Sequence, residues 1–315
     1  MAMEEIKAAQ REEIGQNAPG KAKHPFWHKF KKILPQNAAL AIVFVIFLLY
    51  AFTLIFPVAW MFLNSFRSSA EFYKNPWKLP GSFDLTNYID AAVNFSRRTR
   101  FGEFNLVEMF GISVILTIGG TLANVLSSAV SAYVVAKYKF FGRNFLFSLC
   151  IFTMIVPIVG TMPAQYRLMD ALGLTNNILG MIISYSGSFG INFFLLYGFF
   201  KNISWSYAEA ALVDGAGNAK IFFNIMLPLA LPAVVSVSVL YSITVWNDYV
   251  APSLYMRDIP TLAVGLEYLV SEYQAEANTT KIFAAMIITL IPILAVFIAF
   301  QKTIMENTVA GGLKG

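Results

Sequence analysis

Residues Glu209 to Pro232 read EAALVDGAGNAKIFFNIMLPLALP, a segment that starts charged and glycine-broken and ends as continuous hydrocarbon. Trp205, Ala208, Ala211, Leu212 and Ala216 recur at roughly helical spacing, with Glu209 and Asp214 on the wetter side. That pattern predicts a short amphipathic helix. Gly215 and Gly217 interrupt it, and a second apolar set, Ile221, Phe222, Ile225 and Met226, leads into Pro228 and a long apolar run. Two short helices joined at a glycine corner are expected. Alanine and glycine at such a corner carry no bulk, so another protein's backbone can come close, and the flanking carboxylates can pair with basic side chains. A helix that lies in the membrane interface and only tidies a connection has the same composition.

Outward from this stretch, the chain is a membrane protein by composition. Of its 315 residues 57% are hydrophobic and 13% charged, against roughly a quarter charged in an ordinary soluble domain. About 20 apolar residues carry a helix across ~30 Å of hydrocarbon. Six runs without an interior charge meet that length, at about 38–63, 109–136, 144–166, 176–200, 221–247 and 282–301. They predict an all-α integral membrane protein with six transmembrane helices, residues 38–302, between an N-terminal tail, 1–37, and a C-terminal tail, 303–315. The first run is too long to be a signal-peptide core of about 7 to 15 residues. Lys21, Lys23, Lys29, Lys31 and Lys32 precede it, and Lys137, Lys139 and Arg143 lie between the second and third runs. Basic residues on short connections mark the cytoplasmic side, so both termini are expected there. The long loops 64–108 and 253–281 then face outward, the second carrying Asp258, Glu267, Glu272 and Glu276. Arg97, Arg98 and Arg100 oppose the rule, but a long loop translocates largely regardless of its charge. The net charge of +5 is thus explained by orientation in a lipid bilayer, and no nucleic-acid partner is expected.

Polar side chains within the runs are the candidates for a solute pathway. A polar group in hydrocarbon needs an internal partner, so such residues face other helices or a water-filled cavity. Asn124, Ser127, Ser128 and Ser131 lie in the second run, Ser184, Ser186, Ser188 and Asn192 in the fourth. The fifth ends in Tyr241, Trp246, Asn247 and Asp248. The serines also serve as packing glue between helices. Aromatic faces with amide and carboxylate groups suit a polyhydroxylated ligand, which makes Asn192, Tyr241, Trp246, Asn247 and Asp248 the expected pathway residues; Trp, Asn and Asp at a span's end equally form an interfacial belt and a helix cap. Pro157, Pro163, Pro228, Pro232 and Pro292 predict kinks.

Other functions find little support. GQNAPGKA, Gly15 to Ala22, matches G-x-x-x-x-G-K but lacks the following Ser or Thr that holds magnesium, and no strand precedes it. Residues 1–24 read as a disordered tail. One cysteine, Cys150, and two histidines, His24 and His28, leave no metal site and no catalytic base, so the chain is not expected to be an enzyme. A secondary transporter would carry ionisable groups near mid-span, and none is present. A secondary transporter or a channel of unknown solute is the alternative.

Glu209, Ala210, Ala211, Asp214, Gly215, Ala216, Phe222, Ile225, Leu227, Pro228 and Pro232 resemble the EAA loop of membrane subunits of bacterial ABC importers. LMDALGLTNNILGMII (Leu168 to Ile183), WNDYVAP (Trp246 to Pro252) and TVAGGLKG (Thr308 to Gly315) are similar to its carbohydrate-importing branch, whose members include maltose permeases. The resemblance spans about residues 40 to 315; the tail before it is longer and more charged than the family usually shows. It implies an ABC type I importer fold with a cytoplasmic EAA coupling helix, within a coupling loop of about 203–224, seated in an ATPase subunit through Glu209, Ala210, Ala211, Asp214 and Gly215. It also implies a second permease subunit as heterodimer partner, two ABC ATPase subunits that hold the ATP and magnesium, and an extracytoplasmic sugar-binding protein. The chain itself would hold no cofactor and no metal, and would sit multi-pass in the bacterial cytoplasmic (inner) membrane, importing an oligosaccharide or other carbohydrate by alternating access.

Overall fold

A computed structural model describes residues 38–81, 83–94, 96–155, 160–275 and 278–312. The amino-terminal tail with its basic cluster and its G-x-x-x-x-G-K segment, Pro157, Glu276 and residues 313–315 lie outside these. The chain divides into two units, one ending at Trp60 and one starting at Met61. The first holds most of helix α1, Ala38–Asn64, 27 residues with Pro57 inside. At about 1.5 Å per residue this helix outruns the hydrocarbon thickness.

The second unit is organised around helix α4, Leu106–Lys137, 32 residues long. Before it come the short helices α2, Ser69–Lys74, and α3, Thr86–Ile89, and a wide turn at Asp90–Asn94. Strand β1, Ser96–Thr99, then pairs antiparallel with β2, Gly102–Asn105, in the register Ser96↔Asn105 to Thr99↔Gly102. This hairpin is the one strand pair among the described residues of a mostly helical chain. Two residues, Arg100 and Phe101, close it, and Gly102 takes a φ of +141°, a conformation open to glycine and costly for residues with a Cβ. Asn105 then caps α4: its side chain accepts from the Glu108 N–H, and the Glu108 carboxylate accepts from the Asn105 N–H. This reciprocal capping box fixes where the long helix starts.

After α4 come α5, Arg143–Ile155; α6, Thr161–Ala171; α7, Ile178–Tyr185; and α8, Ile191–Asn202. Next are α9, Ser206–Val213; α10, Asn218–Ile221; a π-turn at Phe222–Met226; and α11, Leu227–Leu229. The chain continues through α12, Leu231–Asn247; α13, Val250–Tyr255; α14, Leu262–Ala275; and α15, Thr279–Gly312. Among the described residues three helices are long and apolar enough to cross a membrane unbroken, α1, α4 and α15, and the segment 218–247 does so as a pair bent by 77°. The bend lies between Pro228 and Pro232. Each proline lacks the N–H for an i→i−4 bond, and the Pro232 ring crowds the Pro228 carbonyl.

The uninterrupted spans expected at 144–166 and 176–200 are each divided. In the first, helix is described over Arg143–Ile155, and a new helix begins at Thr161 behind Gly160 at φ +91°. The second is interrupted at Ser186–Gly190, where serines and glycines replace the apolar helix formers on either side. Around α4 pack α7, α8, α12 and α14, and α15 packs along α12 and α14. The core is split: Ala129, Ala132, Phe193, Leu196, Phe200 and Met226 pack near the Lys137 end of α4, and Leu106, Met109, Leu262 and Leu269 near its Leu106 end.

Candidate functional site

Two places bring the candidate residues together. The first is the corner formed by α9 and α10. Ala208 and Ala211 are buried in the core beside Phe200, Phe222 and Met226. Their small size lets α9 lie close against that core. The helix ends in a left-handed residue, Gly215, at φ +78°. Its N–H donates to the Leu212 carbonyl at 3.0 Å and the Ala216 N–H to the Ala211 carbonyl at 2.9 Å. This is the Schellman pattern, which satisfies the last carbonyls and turns the chain sharply. Glu209, Ala210, Asp214 and Gly215 all stand exposed on the corner, whereas Ala211 faces inward. Beside them Val213 is 88% exposed and Tyr207 53%. The corner is therefore an apolar knob rimmed by two carboxylates.

The Lys137 end of α4 grips the corner. The Lys137 ammonium donates to the carbonyls of Lys201 and Ile203 at the end of α8, charge-assisted bonds at a helix C-terminus where a cation is favoured. The Tyr138 hydroxyl donates to Asn218 Oδ1 at 3.3 Å, and its ring meets Trp205 edge-on at 5.6 Å. Tyr133 packs against Phe222 with centroids 5.1 Å apart and rings tilted by 40°. The end of α4 thus bonds both the end of α8 and the start of α10.

The second place is the interruption between α7 and α8. A broken helix frees backbone carbonyls, and each needs a donor. Asn124 Nδ2 donates to the Tyr185 carbonyl at 2.8 Å and to the Gly187 carbonyl at 3.1 Å. Ser127 Oγ donates to Ser186 O at 3.0 Å, and the Tyr241 hydroxyl to Tyr185 O at 3.3 Å. Asn192 Nδ2 in turn donates to Asn124 Oδ1 at 2.8 Å, both side chains being buried. The Tyr185 hydroxyl donates to Asp248 Oδ2 at 2.9 Å, and the other Asp248 oxygen accepts from the Ala251 N–H. The Tyr185 ring lies over α4 because position 120 is glycine: a Cβ there would stand 2.9 Å from Tyr185 Cδ2.

Of the five pathway candidates the structure gathers three, Asn192, Tyr241 and Asp248, around this interruption, as its supports. Trp246 meets Phe110 edge-on at 5.7 Å. Asn247 is exposed, with its amide turned back to the Ile243 carbonyl. Tyr185, which joins both sides of the network, escapes a reading of polar residues one span at a time; the run SYSGSFG, Ser184 to Gly190, is the signal that points to it. Among the described residues no three His, Cys, Asp or Glu side chains gather as metal ligands.

Known proteins match this chain along most of its length. The family model described as "Binding-protein-dependent transport system inner membrane component" matches residues 124–306, more than half of the chain, including Glu209 to Gly215 and Ser186 to Gly190. The diacetylchitobiose uptake system permease protein of Streptomyces coelicolor is 29% identical over 276 residues, 86% of this chain and 88% of that one. The maltose/maltodextrin transport system permease protein MalG of Vibrio parahaemolyticus is 30% identical over 279 residues, 83% and 91% of the two chains. In fold, the chain is similar to one in the crystal structure of a bacterial ABC transporter involved in import of the acidic polysaccharide alginate. The TM-score is 0.68 at 24% identity, covering 84% of this chain and 96% of that one. The chain belongs to the family of inner membrane components of binding-protein-dependent transport systems.

Proposed function

We propose that this chain is one permease subunit of an ATP-driven importer that takes up an oligosaccharide or other carbohydrate delivered by an extracytoplasmic solute-binding protein. The observation that carries the reading is the corner at Glu209 to Gly215. Its apolar knob is exposed and rimmed by carboxylates, and α10 beside it accepts a hydrogen bond from Tyr138 at the end of α4. The carbohydrate part is supported by the two permeases to which it is similar, which are named for sugars.

In this reading the chain crosses the membrane six times, with both divided runs counted as spans, and both termini are cytoplasmic. Glu209, Ala210, Asp214 and Gly215 form the contact with an ATPase subunit, while Ala211 seats the coupling helix on the membrane domain. A second permease subunit and two ATPase subunits complete the assembly, and ATP hydrolysis belongs to those ATPases. Closure of the ATPase pair is passed through the corner to α4 and α8. ATP drives the change only to the extent that it binds one state of the assembly better than the other. Asn192, Tyr241 and Asp248 shape the solute pathway by holding the broken span, and the exposed Asn247 is the candidate for direct contact with solute; Trp246 packs at the same end of α12.

Purification of the transporter from its native membrane in mild detergent, wild type against Glu209→Ala, tests this. Co-purification of an ATPase and a second permease with the wild type, and loss of the ATPase from a variant that stays monodisperse, is the expected result. Recovery of this chain alone as a homo-oligomer would overturn it.

A further inference from the structure

Away from both places, the Leu106 end of the molecule holds a cavity of about 230 Å³ between α6, the α6–α7 loop and the end of α13. One wall is aromatic. Tyr166 and Tyr255 lie nearly parallel, 26° apart with centroids separated by 6.4 Å, Tyr255 buried and Tyr166 more than a third exposed. Another part of the wall is made by Arg257, Asp258 and Asn176.

This wall is built rather than incidental. Asn176 holds a φ of +49°, in the left-handed region that asparagine tolerates better than most residues. Its N–H donates to the Tyr255 carbonyl at 2.8 Å and its Oδ1 accepts from the Asp258 N–H at 2.9 Å. Thr99 of the hairpin donates to the Asp258 carbonyl at 2.9 Å. Two segments far from it in sequence therefore fix the backbone that carries Arg257 and Asp258. Their charged ends, in contrast, are unengaged. Among the described residues neither the Arg257 guanidinium nor the Asp258 carboxylate forms an ion pair or hydrogen bond, and the Tyr166 hydroxyl has no partner.

We propose that this cavity is a saccharide subsite, taking one ring of a neutral sugar as it approaches the membrane domain. A pyranose has an apolar face of C–H groups and a rim of hydroxyls. The tyrosine wall suits the face, and a guanidinium with a carboxylate offers paired donors and acceptors to neighbouring hydroxyls. One positive and one negative group side by side give no net attraction for an anion. The volume falls below the roughly 300–1,000 Å³ of sites for drug-sized ligands, which fits a single ring. The proposal rests on the carbohydrate reading above and extends it to a place on this subunit.

The test uses the full chain in lipid nanodiscs and saturation-transfer difference NMR with maltotriose, cellotriose, arabinotriose and chitotriose, and trigalacturonate as the anionic control. At least one neutral trisaccharide should give a signal that Tyr166→Ala and Arg257→Gln abolish and trigalacturonate does not match; both residues are exposed, so both variants should stay folded. In the reconstituted transporter the same variants should raise the KM for the imported sugar about tenfold with kcat unchanged. Absence of a saccharide signal, or an unchanged KM in both variants, overturns the subsite while sugar uptake by the wild type leaves the importer reading standing. A transporter that imports no carbohydrate overturns that reading instead. Weakened association with the solute-binding protein in Arg257→Gln, with no saccharide signal, would assign the cavity to a protein loop and also overturn the subsite.

Discussion

The corner at Glu209 to Gly215 and the break at Ser186 to Gly190 are both glycine-containing interruptions of helix, yet they treat polar groups in opposite ways. At the corner the backbone satisfies itself through the Schellman bonds of Gly215 and Ala216, so Glu209 and Asp214 are left facing outward. At the break the backbone satisfies itself only in part, the Gly187 N–H donating to the Tyr185 carbonyl, and Asn124, Ser127 and Tyr241 are turned inward to supply further donors. Polar side chains beside a self-capped interruption are available to a partner. Those beside an uncapped one are consumed by the fold.

If that difference holds, substitutions at the break should act on stability first and those at the corner on assembly first. The largest stability effect is expected for Asn124→Leu. It removes one donor from each of two backbone carbonyls and strands the amide of Asn192, and should cost about 2–4 kcal/mol, read as a lower midpoint of thermal unfolding in detergent, with uptake lost in parallel. A variant as stable as wild type would break the comparison. Next, Gly120→Val should cost about 1–3 kcal/mol through overpacking. Its Cβ would meet the Tyr185 ring at 2.9 Å. The expected signature is loss of coupling between Tyr185 and Asp248: in the Gly120→Val background, adding Asp248→Asn should change stability by less than it does alone, a double-mutant cycle that sharpens the assignment.

A smaller effect is expected for Gly215→Ala, about 1–2 kcal/mol from placing a Cβ in the left-handed region. No atom lies within 4 Å of that Cβ, so the loss should come from backbone strain alone. Gly215→Asn, which tolerates the same conformation, should recover most of it in the same melting assay. The smallest stability effect is expected for Glu209→Ala, within about 0.5 kcal/mol at an exposed site, together with at least tenfold weaker retention of the ATPase on a pull-down from membranes. A large loss of stability without loss of the ATPase would reverse the roles of the two regions.

The corner was legible in the sequence because every determinant is local. Alanines at helical spacing, a glycine after the last turn and carboxylates on the other face lie within ten residues of one another, and local hydrogen bonds decide the shape. Ala211 is the exception: its position in the motif suggests contact with a partner, but its place on the inward face depends on where Phe222 and Met226 pack. The break was less legible. Asn192, Tyr241 and Asp248 were recognisable as polar residues that need partners, but those partners, the Asn124 amide oxygen, the Tyr185 carbonyl and the Tyr185 hydroxyl, lie 56 to 68 positions away in sequence. The hairpin at Ser96 to Asn105 was hidden for a related reason, since a basic stretch in a long loop carries no alternation strong enough to mark paired strands.

By itself the sequence determined the membrane class, the apolar runs, the glycine corner and the family, because these follow from composition, helical period and a contiguous motif. Only the tertiary structure decided which polar groups are free. That choice depends on where a neighbouring helix breaks and on which carbonyls the break leaves without donors in a medium that supplies none.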